Sequence, residues 1–102
     1  MMRIDVISQT DAEVVLRVEG WVEDRAEVRV LEEEVAHWLG QGKQVVLTLE
    51  RLQTLSVEGL RVVHGWRGKP VVLRQVPEYI ASLLARVGVA DGSSTPAGGG
   101  QP

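Results

Sequence analysis

The sequence predicts one α/β domain: a mixed, mostly parallel four-stranded sheet packed with helices, in the order β-β-α-β-α-β-α. Three observations predict it. Two apolar runs separated by a few polar residues open the chain, the signature of an antiparallel hairpin. Later apolar, β-branched runs alternate with segments of helical period, the pattern of parallel crossovers. A length of 102 residues leaves room for one hydrophobic core and no second.

Each element has its own local reason. Residues 3–8 put Ile4, Val6 and Ser8 on one side of a short strand. Residues 9–13 carry turn residues, and residues 14–22 read as the second strand. Asp24 then supplies an N-cap, and Glu27, three positions on, the return half of a capping box. Val28, Leu31, Val35, Trp38 and Leu39 recur at helical spacing, with Glu32, Glu33 and Glu34 largely off that stripe as a solvated face. Gly40 and Gly42 supply the stop. Residues 44–49 (Gln-Val-Val-Leu-Thr-Leu) are apolar almost without a break, as expected of a central strand covered on both faces. Ser56 caps a short helix carrying Leu60, Val63 and Trp66, which Gly65 and Gly68 end. Residues 70–74 form a strand opening on a proline, tolerated at an edge or first position. Pro77 starts the last helix, Ile80, Leu83, Leu84 and Val87 form its apolar stripe, and Gly88 ends it. The domain thus spans residues 1–89, and residues 90–102, rich in Gly, Ser and Pro, read as a disordered tail.

Composition removes several functions. There is no Cys, so disulfides and thiolate metal sites are excluded. No apolar run approaches the roughly 18 residues of a membrane span, no signal-peptide pattern opens the chain, and a cytoplasmic location is expected. The net charge of −3 hides an asymmetry. Residues 1–50 carry five basic and eleven acidic side chains, whereas residues 51–75 carry Arg51, Arg61, Arg67, Lys69 and Arg74 against Glu58 alone. A nucleic-acid footprint would be broader and more basic, so this stretch predicts a local positive face for a protein partner.

Catalytic and metal chemistry find little support. Glu34 and His37 form a lone Glu-x-x-His without the second carboxylate helix of a di-iron site. His64 has no relay partner in sequence, and neither histidine is paired with a nucleophile. Gly65-Trp66-Arg67-Gly68-Lys69-Pro70 lacks the spacing and hydroxyl of a P-loop. No enzymatic activity, cofactor, metal or nucleic-acid partner is expected.

The strand Val45-Val46-Leu47-Thr48-Leu49 leads through Leu52 and Leu55 into Ser56-Val57-Glu58-Gly59-Leu60, followed by a strand at Val71-Val72-Leu73. The last helix starts at Val76-Pro77-Glu78 and finishes Leu84-Ala85-Arg86-Val87-Gly88-Val89. With these pieces the chain resembles the STAS domain of anti-sigma-factor antagonists and sulphate-transporter tails. In that family the matching turn reads Asp-Ser-Ser-Gly-Leu. Aligned on Gly59 and Leu60, Ser56 stands at the family's Asp, Val57 at its phosphoacceptor Ser and Glu58 at the second Ser. Val cannot be phosphorylated, which leaves Ser56 and Thr54 as the nearby hydroxyls for modification. Glu58 is a poor copy of a phosphate's charge.

The resemblance implies a regulatory protein–protein interaction module similar to an anti-sigma-factor antagonist, docking on an ATP-binding, kinase-like anti-sigma protein without the usual phosphoserine switch. The alternative it implies is the small cytoplasmic STAS subunit that braces the ATPase of a lipid-transporting ABC complex. Either way the contact residues would be Ser56, Val57, Glu58, Gly59, Leu60 and Arg61. Trp66, a core residue by spacing, is added as an interface aromatic because it lies in the basic stretch.

Overall fold

Alternating apolar residues at Val14, Leu16 and Val18 make one long strand the axis of the sheet. In the computed structural model, which describes the backbone of residues 1–92 and the side chains of residues 1–86, this is β2 (Glu13–Val22). It pairs with β1 (Met2–Gln9) as an antiparallel hairpin. Helix α1 (Arg25–Gly40) returns the chain to β3 (Gln44–Thr48), which lies parallel to the first half of β2, Leu16 opposite Leu47. Strand β4 (Leu52–Leu55) lies parallel to the second half of the same strand, Val22 opposite Leu55. Helix α2 (Val57–His64), β5 (Val71–Arg74) at the edge beside β3, and α3 (Glu78–Gly92) complete the order.

The sheet therefore has five strands rather than four, the addition being β4. Beyond β3 the chain turns sharply, Leu52 N–H donating to Leu49 O at 3.0 Å, and resumes pairing along β2. Its buried residues, Leu52 and Leu55, are three apart, so no period of two marks a strand in the sequence. The offset accompanies a register shift between Gly20 and Trp21 on β2. The extra residue is Gln53 of β4; Gly20 is needed for a separate reason, since it sits at φ +88° and a Cβ there would run into Met1 O.

One face of the sheet carries the helices. Val14, Leu16, Val18 and Val22 of β2 meet Val45 and Leu47 of β3, Val28, Leu31 and Val35 of α1, Leu60 and Val63 of α2, and Ile80 of α3. Burying each such side chain contributes roughly 1.5–3 kcal/mol before entropy is counted. Val46 and Thr48 are also buried, on the face opposite the helices, Val46 between Val15 and Val72 of the neighbouring strands and Thr48 bonded to Gln75, so β3 is shielded there by its position in the sheet and not by a second helix layer.

Helix α1 starts where the capping box places it. Glu27 N–H donates to Asp24 Oδ1 at 2.8 Å, and Asp24 N–H donates back to Glu27 Oε1 at 3.4 Å. Glu34 departs from the expected solvated face, accepting the Trp38 indole N–H at 2.9 Å. Helix α3 runs past Gly88 to Gly92. A glycine weakens a helix by about 1 kcal/mol relative to alanine but does not by itself end one. The tail expected from residue 90 lies, from 93 onward, outside the described residues.

Candidate partner-binding site

The sequence of α2 dictates an abrupt start. Ser56 takes an extended conformation, and its hydroxyl accepts the Gly59 N–H at 3.1 Å, the bond of an N-cap. Its own N–H donates to Val22 O at 2.9 Å, tying the turn to β2. A Cβ on Gly59 would stand 2.5 Å from Leu55 Cδ1 and 3.2 Å from Leu55 Cγ. A side chain at this position would have to displace that of Leu55, which is buried. Leu60 is buried in the core behind it.

These constraints decide what faces outward. Gly59 and Leu60 anchor the turn from within, while Val57, Glu58 and Arg61 are exposed and Ser56 is half-buried. Val57 stands out as an apolar side chain 62% exposed on the first turn of α2. Neither nearby hydroxyl is freely presented: Ser56 Oγ is engaged in the cap, and Thr54 Oγ1 is buried without a hydrogen-bond partner on β4. Trp66 is 7% exposed and belongs to the core cluster, so it is a packing residue and not a surface anchor.

The basic stretch of residues 51–75 does not form one face. Arg51 follows the end of β3 and Arg74 ends β5, whereas Arg67 and Lys69 precede β5 at the opposite end of the sheet. Arg61 instead joins two arginines of the acidic half. Arg25, Arg29 and Arg61, with Glu32, Glu58, Val28 and Val62, line a groove of about 270 Å³ between α1 and α2. Arg25 Nε pairs with Glu58 Oε2 at 3.6 Å across its mouth, both side chains being well exposed. Such a pair adds little stability, about 0.2–1 kcal/mol, and leaves both groups available for exchange. Sequence reading missed Arg25 and Arg29. Their i, i+4 spacing beside a capped helix start was the available signal, but their juxtaposition with α2 comes from the crossover.

The two histidines stand away from the turn, His37 in the last turn of α1 and His64 at the end of α2. His37 is exposed, within 3.1 Å of Gln41 Nε2 and edge-on to Trp38. His64 is half-buried in the wall of an apolar groove between α2 and α3. Among the described residues no group of three or more His, Cys, Asp or Glu side chains is placed to hold a metal ion. No helix among them is long and apolar enough to cross a membrane.

Compared with known families, residues 6–94 match the model described as "Mlab, STAS domain". A comparison with curated proteins returned no match.

Proposed function

The chain belongs to the STAS domain family, and on that premise we propose that it is a non-enzymatic docking module whose contact surface is the first turn of α2, permanently competent rather than switched by phosphorylation. Val57 carries this reading. It offers an exposed apolar contact at the position where the family resemblance puts the phosphoacceptor, and the adjacent Ser56 hydroxyl is engaged in the helix cap. An apolar side chain presented by a rigid, capped turn suits a standing interface, because little ordering entropy is lost on binding.

The partner that suits such a surface is the ATPase of a lipid-transporting ABC complex, braced by this chain in the cytoplasm. A bracing subunit needs no phosphorylation, and the turn carries Val57 where the family resemblance puts the phosphoacceptor. An anti-sigma-factor antagonist would use the same turn on an ATP-binding anti-sigma protein, but its release by phosphorylation has no ready acceptor here. Co-expression of the tagged chain with an ABC ATPase and, separately, with an anti-sigma kinase from the same genome distinguishes the two. The expected result is a stable ATPase complex from unphosphorylated chain, lost on Val57→Arg with the melting temperature unchanged. Capture of the anti-sigma protein alone, or of neither, overturns the ABC reading.

A further inference from the structure

Resting on that docking surface, the groove beside it determines which partner segment is accepted. We propose that the α1–α2 groove grips an acidic segment of the partner protein, Arg25, Arg29 and Arg61 taking its carboxylates while Glu58 acts as an internal competitor. Among the described residues Arg29 and Arg61 make no ion pair, and Arg25 pairs only with Glu58. The groove thus carries three cations against Glu32 and Glu58 in a protein whose net charge is −3. Arginine's planar fork bonds carboxylates in pairs, and its weak hydration makes it the better cation to desolvate at an interface. Both helices start at this end, after the neighbouring strands β2 and β4, so their N-terminal dipoles add to the same sign of potential. Val28 and Val62 give the groove an apolar floor against which a carboxylate-bearing segment can also bury its stems.

Glu58 sets the threshold. An incoming carboxylate must displace it from Arg25, and an exposed pair is weak enough to yield. A segment lacking negative charge gains nothing from opening it, so the pair favours acidic partners over neutral ones.

The test is an NMR titration of the isotope-labelled full chain with a synthetic glutamate-rich peptide and its glutamine counterpart at low salt. The expected result is shifts around Arg25, Arg29, Val57 and Arg61 with the glutamate peptide only. The combined Arg29→Glu and Arg61→Glu variant should weaken binding by about tenfold or more, the scale of lost interfacial charge pairs. Glu58→Gln should strengthen it by up to about fivefold, the worth of an exposed ion pair. Reversing Arg67 and Lys69, at the other end of the sheet, should leave it unchanged. Absence of groove shifts, equal binding of both peptides, or an effect of Arg67 and Lys69 as large as that of Arg29 and Arg61 would overturn the proposal. Failure here is separable from failure of the docking reading: the wild-type chain would still capture its ATPase, without groove chemistry. Glutamate-specific binding in the groove with no ATPase captured would instead support the groove and overturn the ABC partner.

Discussion

Helices α1 and α2 begin side by side, after neighbouring parallel strands, and solve the same problem differently. Each must satisfy the free N–H groups of its first turn. At α1 the solution is local and reciprocal: Asp24 caps Glu27, Glu27 caps Asp24, and the carboxylate of Glu27 also lies 3.6 Å from the Met1 amino group. At α2 the position equivalent to Glu27 is Gly59, where a side chain would have to displace that of Leu55. The return bond is therefore missing, and the Ser56 N–H donates instead to Val22 O in the sheet. One helix start is closed on itself. The other is fixed from behind, by strand and core; both leave their first two residues facing solvent, Arg25 and Ala26 at α1, Val57 and Glu58 at α2. A surface held rigid from below and left bare above is what a docking point needs.

The comparison can be broken at several places, with effects that fall in order. Leu55→Ala removes the buried side chain against which Gly59 is set and should cost about 2–5 kcal/mol in chemical denaturation. Gly59→Val forces a side chain into that contact and should cost about 1–3 kcal/mol. Combining Gly59→Val with Leu55→Ala should be less damaging than the sum, because the two residues share one space; strict additivity would show that they do not. Asp24→Ala and Ser56→Ala should each cost about 1 kcal/mol, Asp24 the more because its loss also strands the Glu27 return bond. Glu27→Gln keeps a capping side chain, loses only an exposed charge contact, and should change stability by less than about 0.5 kcal/mol.

How far the sequence reveals this difference depends on how local its causes are. The α1 capping box lies within four residues and was legible in full, as were the hairpin and the central place of β3. Strand β4 was not, because an extra residue at Gln53, seen only in its pairing with β2, sets the buried Leu52 and Leu55 three apart. The α3 stop misled because Gly88 is a weak breaker inside a helix whose stripe, Ile80 to Leu84, is already anchored in the core. At the site, the turn around Gly59 could be found from its Ser and Gly. Its charged wall could not, since Arg25 and Arg29 reach Arg61 only through the crossover from β2 to β3. The basic run of residues 51–75 gave the opposite error, implying one face where the fold separates Arg51 and Arg74 from Arg67 and Lys69 along the strands.

The central claim is that the first turn of α2 docks a protein partner through Val57 without any phosphate. The most direct measurement is the dissociation constant of the complex with the co-expressed ABC ATPase, for wild-type chain verified as unmodified by intact mass and for Val57→Arg. The account predicts a stable complex for the unmodified wild type and at least a tenfold loss, about 1.4 kcal/mol, for Val57→Arg at unchanged melting temperature. Equal affinity of the two chains, or binding that appears only once Ser56 or Thr54 carries a phosphate, would contradict it.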